Sequence, residues 1–314
     1  YWEGDVSSDW SNTSNWNNGT VSPPTTVPHT ATEGIYVPNT SGIVNTPRTV
    51  SVNVSDQVGS MYMGRTGGTI NPPLGNTTVN LNNSAATLTV SSTTGELVSV
   101  AYTAGYTNNL NVSDGRLNVY QTATGVGELR LNHVYNSTCV GNVTLSGTGI
   151  IDVEYLNKGD KAGGGNFAAT GGTLIVRNQI NKFGVVSEVA GYGFRLGGAR
   201  LEVAGLAVRS NEIGSALLGS GQGMDFIMDG TSKVKFDLGL SANKGGVAGT
   251  NYDLLASRGF YTIGGELLVN FMVAATLGDY WDVWKIQSTF EGAYSGSGSF
   301  GTLPSNIQAS WVDT

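Results

Sequence analysis

Gly115-Arg-Leu-Asn-Val119 reads as a turn glycine followed by a strand that alternates apolar and polar side chains, and the phrase returns along the chain. It recurs as Ala86-Thr-Leu-Thr-Val90, Gly127-Glu-Leu-Arg-Leu131, Gly172-Thr-Leu-Ile-Val176, Ala199-Arg-Leu-Glu-Val203 and Gly265-Glu-Leu-Leu-Val269. Leu88, Leu117, Leu145, Leu174, Leu201 and Leu267 stand 29, 28, 29, 27 and 66 residues apart, the last interval being about twice 33. A repeat of that length, holding two or three short strands, is what one coil of a parallel β-helix needs, with each coil about 4.8 Å above the last. The expected fold is therefore all-β, a right-handed parallel β-helix of roughly ten coils with capped ends. An antiparallel β-sandwich is the alternative, because short alternating strands and glycine turns suit it locally.

Composition agrees with a strand-rich body. The 314 residues include 46 Gly and only 12% charged side chains, and seven of the eight Pro lie before position 74, leaving the middle free for continuous ladders. This divides the chain into a Trp- and Pro-rich cap over 1–48, a β-helix body over 49–275 and a C-terminal strand and cap segment over 276–314. Net charge is -7, and the 16 Lys and Arg are scattered, which argues against nucleic acid as a partner. No apolar run is long enough to span a bilayer. The lone Cys139 has no partner for an internal disulfide and is expected to be a small core residue.

All six Trp lie near the ends: Trp2, Trp10 and Trp16 at the start, Trp281, Trp284 and Trp311 near the finish. Terminal coils of a β-helix expose unpaired backbone groups, so these indoles are expected to cover the ends or to meet a neighbouring subunit there. Nine Asn-x-Ser/Thr triplets, at Asn12, Asn18, Asn39, Asn53, Asn76, Asn82, Asn111, Asn136 and Asn142, are candidate glycan acceptors in an exported chain. The start at Tyr1, without an initiator Met, fits removal of a signal peptide and predicts a secreted, extracellular or cell-surface protein.

The opening motifs Trp2-Glu-Gly-Asp5, Asp9-Trp-Ser11, Asn15-Trp-Asn-Asn-Gly19 and Pro23-Pro24 resemble the start of exported bacterial proteins with autotransporter-associated β-strand repeats. Tyr252-Asp-Leu-Leu255, Gly264-Gly-Glu-Leu-Leu-Val269 and Gly278-Asp-Tyr-Trp281 are similar to their far end, so the likeness covers about a third of the chain. It implies a right-handed parallel β-helix at the outer cell surface, often with a Pro-Glu-Pro sorting tail. No such tail occurs in these 314 residues, and the resemblance carries no catalytic residues.

A search for chemistry leaves little. Asp152 and Glu154 lie two apart on one strand and could share a cation, although a solvated strand face is the simpler expectation; Asp225, Asp229 and Asp237 are spread over a strand pair and turn. His29 and His133 have no metal-ligand partner at usual spacing, and the Gly-rich Lys158–Gly165 lacks the ending of a phosphate loop. No catalytic set, metal or cofactor is expected. The sequence thus predicts a secreted structural protein that self-assembles, head to tail, into a filament, tube or surface layer. The rival is a polysaccharide-binding or polysaccharide-degrading β-helix that presents Tyr102, Tyr106, Tyr120, Tyr135 and Tyr155 to a surface glycan; a third reading is the passenger of an adhesin.

Overall fold

The structure, a computed structural model, describes residues 7–16, 34–37, 48–64, 76–92, 98–102, 105–121, 127–132, 139–157, 164–181, 194–196, 200–203, 211–213, 226–228, 233–247, 251–252, 255–257, 261–263, 266–286, 296–298, 303, 305 and 307–308. It is a parallel β-solenoid. After β1 (Gly34–Val37), triplets of strands each make one coil. The first is β2 (Arg48–Ser51), β3 (Asp56–Val58) and β4 (Ser60–Met63), and the second is β5 (Thr77–Leu81), β6 (Thr87–Ser92) and β7 (Val98–Ala101). The third is β8 (Thr107–Val112), β9 (Arg116–Gln121) and β10 (Glu128–Asn132). In the next two coils one long strand serves two faces: β11 (Val140–Leu145) precedes β12 (Ile150–Asn157), and β13 (Gly164–Ala169) precedes β14 (Thr173–Asn181). The stack continues with β15 (Phe194–Leu196), β16 (Arg200–Val203) and β17 (Asn211–Ile213), then β18 (Phe226–Met228), β19 (Lys233–Leu238) and β20 (Leu255–Ser257). It closes with β21 (Tyr261–Ile263), β22 (Glu266–Phe271), β23 (Trp284–Ile286) and β24 (Gly296–Gly298).

Each strand stacks on its counterpart in the preceding coil, and all named strand pairs are parallel. One sheet holds nine strands in the order β2-β5-β8-β11-β13-β15-β18-β21-β24, which at about 4.8 Å per strand puts its two ends about 40 Å apart. A second, twelve-stranded sheet bends round two faces because β12 and β14 each cross the corner; β17, β20 and β23 stack separately. Parallel pairing runs from β1 to β24 and so extends beyond both edges of the 49–275 segment.

In-register stacking explains the repeated phrase. Leu88, Leu117, Ile151, Leu174, Leu201, Val234 and Leu267 are consecutive partners on one face. Val234 fills the rung that splits the 66-residue interval. Leu145 belongs instead to the nine-stranded sheet, stacked on Val112 and Ala169, and Ile151 takes the place expected of it. A second column inside the nine-stranded sheet runs Val50, Val79, Leu110, Val143 and Phe167. All five are buried, and each buried side chain of this size contributes about 1.5–3 kcal/mol.

The turn residue of the phrase also stacks. Arg116 N donates to Ala86 O, Ile150 N to Gly115 O and Thr173 N to Gly149 O, which lines Ala86, Gly115, Gly149 and the residue before Thr173 along one corner. That last residue, Gly172, has φ +77°, and a Cβ there would lie 2.4 Å from Gly149 O, so both conformation and space require glycine.

Candidate assembly surfaces

At the amino-terminal end, short polar side chains fold the segment 7–16 against the first coil. Asn12 caps a 3-10 turn over Thr13–Asn15, its Oδ1 accepting from Ser14 N. Buried Asn15 accepts from Ser7 N and donates to Asp9 O. Asp9 accepts from both the N–H and the hydroxyl of Ser11, and the hydroxyl bond foremost holds its carboxyl below the usual range. The turn so formed lays an extended stretch along the outer edge of β2: Ser51 N donates to Ser8 O at 2.6 Å and Trp10 N to Ser51 O at 3.0 Å.

This places Trp10 and Trp16 inside. Both are buried, edge to face, with ring centroids 4.8 Å apart. Trp16 Nε1 donates to Trp10 O at 2.8 Å, and Trp10 Nε1 donates to Asp56 Oδ2 at 2.6 Å. Asp56 begins the column that continues as Leu88, so the indole meets a carboxylate where the apolar stack ends. The two rings therefore cover the coil from within their own chain. Trp2 and Trp311 lie outside the described residues, and of Trp284 only its place at the start of β23 is described.

The carboxyl-terminal end is built differently. Trp281 is only partly buried; it packs on Phe271 with centroids 5.5 Å apart and donates from Nε1 to Gly239 O at 3.0 Å. Two connections that leave this corner one coil apart, 239–247 and 272–283, lie side by side. Ala242 N donates to Tyr280 O, Asn243 Nδ2 to Gly278 O, and Lys244 Nζ pairs with Asp279 at 2.7 Å. Leu240, Val247, Met272, Val273, Leu277 and Tyr280 are exposed on these connections, Leu277 completely. Among the described residues β22 is paired on one edge only, with β19.

The Lys244 hydrogen bond, helped by Thr276 N–H, lowers the Asp279 carboxyl to about 2. A depressed folded value means that the tie is at full strength above the ordinary carboxylate value of 3.8 and is lost as pH falls through about 2. We therefore expect the Asp279 carboxyl signal in an NMR titration to stay unshifted down to pH 3. A midpoint near 4 would show that the two connections are not joined in this way.

Along the body, the outward side chains of the nine-stranded sheet form polar ladders. Asn111 Nδ2 donates to Asn80 Oδ1 at 2.9 Å and Asn142 Nδ2 to Asn109 Oδ1 at 3.0 Å. At the corner, Asn76 and Asn108 use side-chain oxygens to accept from Thr107 N and Thr77 N of the adjoining coil. On another face Tyr36 stacks on Tyr62, centroids 5.5 Å apart, and Tyr62 meets Tyr102 edge-on at 5.9 Å.

These ladders sort the glycan triplets. Asn111 and Asn142 donate into ladders, Asn12 caps a turn, Asn53 is half buried, and Asn76 holds Thr107 N. Asn82 is exposed at a turn, whereas Asn18, Asn39 and Asn136 lie outside the described residues. After expression in a glycosylating host, peptide mass spectrometry of the folded product is expected to find glycan at Asn82 and none at Asn111 or Asn142. Occupancy of Asn111 at the level of Asn82 would contradict the ladder.

The acids resolve into structural pairs. Asp152 is fully buried and accepts from Arg116 and from the Tyr120 hydroxyl, while Glu154 accepts from Gly127 N. The expected solvated face is thus replaced by separate partners, and a register shift between Val153 and Tyr155 accompanies the change. Asp237 accepts from Asn270 Nδ2. Cys139 is buried, with Sγ 3.7 Å from Ala101 O. Among the described residues no three His, Cys, Asp or Glu side chains gather as a metal site, and no helix is long and apolar enough to cross a membrane. His29, His133, Tyr135, Asp225, Asp229 and most of Lys158–Gly165 lie outside the described residues. Comparison with known protein families, with curated proteins and with solved structures finds no match.

Proposed function

We propose that the chain is a secreted structural protein whose copies assemble at the cell surface into a filament, tube or layer. The observation that carries this reading is the inequality, among the described residues, of the two ends: Trp10 and Trp16 are buried at one, while the connections 239–247 and 272–283 at the other carry six exposed apolar side chains. A low charge density along the body, and neutral Asn and Thr ladders on one face, leave little repulsion between like surfaces. The likeness of the Trp-rich opening to exported surface proteins with β-strand repeats supports the same reading. Sedimentation velocity over a hundredfold concentration range tests it. Species heavier than the 32.7 kDa chain should grow with concentration, and a single 32.7 kDa species throughout would end the proposal.

A second reading, a polysaccharide binder, draws on the row Tyr36, Tyr62 and Tyr102, since stacked rings on a rigid face suit sugar rings. Glycan-array binding that is lost with Tyr62→Ala would favour it over assembly.

A further inference from the structure

We infer that the joint between copies is lateral: the uncharged face of the nine-stranded sheet packs against the same face of a second chain. This rests on the self-assembly reading and names its contact. Outward side chains stack there in two columns, Thr78, Asn109 and Asn142 in one and Asn80, Asn111 and Thr144 in the other. The columns reach back to Thr49 and Ser51 in the coil before, and Ala168 follows Thr144 in the coil after. These pairings run without a register shift, so the side chains form a lattice with about 4.8 Å between coils and about 6.7 Å between columns. The side chains of both columns are half-buried, except that Thr49 is exposed. The second column meets its first charged residue at Arg195 on β15, one strand beyond Ala168.

A second copy suits this face in three ways. It presents the same lattice, so the spacing matches by construction, and identical stacked side chains can interdigitate between sheets about 10 Å apart. The bonds from Asn111 Nδ2 to Asn80 Oδ1 and from Asn142 Nδ2 to Asn109 Oδ1 fix the amides before contact, which lowers its entropic cost, and Asn111 keeps its second N–H for the facing copy. A two-fold contact sets like against like, so in a chain of net charge -7 it favours a face without charge. The faces of the twelve-stranded sheet carry Arg116 with Asp152 and Arg130 with Glu128 instead. Five strands of four to six residues cover about 400 Å² per copy, half of a standard interface, so the pair is weak and forms as concentration rises.

Paired charge variants test this. Thr78→Lys combined with Thr144→Lys puts one charge on each side of β8 and leaves the Asn–Asn bonds in place, so lysine comes to face lysine whichever way the two-fold axis runs. In sedimentation velocity this variant should associate about tenfold more weakly than wild type or less, with an unchanged circular dichroism spectrum. Thr78→Glu combined with Thr144→Glu should behave alike, and an equimolar mixture of the two variants should regain association. A lysine variant that associates like wild type, or a mixture no better than its parts, would overturn the lateral joint and leave self-assembly standing. Loss of binding to an insoluble polysaccharide without loss of association would also overturn it and give the face to a glycan. A wild-type chain that stays monomeric at every concentration would overturn both.

Discussion

Trp10→Ala is expected to destabilise the first coil by about 3–5 kcal/mol, the cost of emptying a buried aromatic site. The change removes more than ring volume. Trp16 packs against the Trp10 ring and donates to its backbone oxygen, so its seat is disturbed, and Asp56 loses the indole donor at a buried position. In a solenoid each coil is held mainly by its neighbours, so the loss should appear first as fraying from the amino-terminal end. Hydrogen exchange is expected to accelerate at Ser51 and across β3 while amides of β11 and β13 stay protected. Trp10→Phe, which keeps a ring and loses the donor, should fall between. Unchanged exchange at Ser51 in Trp10→Ala would show that the indole covers nothing.

Gly141→Ala should be comparably damaging in the middle of the stack. A Cβ there would lie 1.7 Å from Leu131 O and 3.3 Å from the Ala101 side chain. The first of these atoms is backbone in β10, which is held in register between β7 and β12 and cannot swing aside without moving them. Overpacking of this kind costs about 1–3 kcal/mol even where side chains can yield, and the rigid carbonyl places this site at the upper end. Gly105→Ala is the control: nothing lies within 4 Å of its Cβ, so only left-handed strain of about 1–2 kcal/mol applies. Thermal unfolding compares the two, and an equal fall in Tm would contradict the close approach at Gly141.

The periodicity of Leu88, Leu117, Leu174, Leu201 and Leu267 was enough to read the coil, because parallel register repeats the same local chemistry once per turn. It did not tell the faces apart. Leu145 follows the same apolar–polar–apolar alternation as its neighbours yet stacks in the other sheet, while Ile151 and Val234 hold the column without the expected leucine. The Arg116–Asp152 pair does have a signal in the sequence, opposite charges about one coil apart.

The ends were legible only as composition. Indoles at both termini announce that something is covered, but the backbone pairing of Ser8 and Trp10 with Ser51 is a long-range contact that no local pattern encodes. The exposed apolar connection 272–280 gave no sign either, since its residues have neither strand nor helix periodicity and their exposure depends on where the stack stops.

The most direct test of the central claim is the size of particles of the wild-type protein, imaged by negative-stain electron microscopy over a range of concentrations. Self-assembly predicts particles larger than a single stack of about 40 Å, in a proportion that rises with concentration. Rods of about 40 Å alone at every concentration would contradict it.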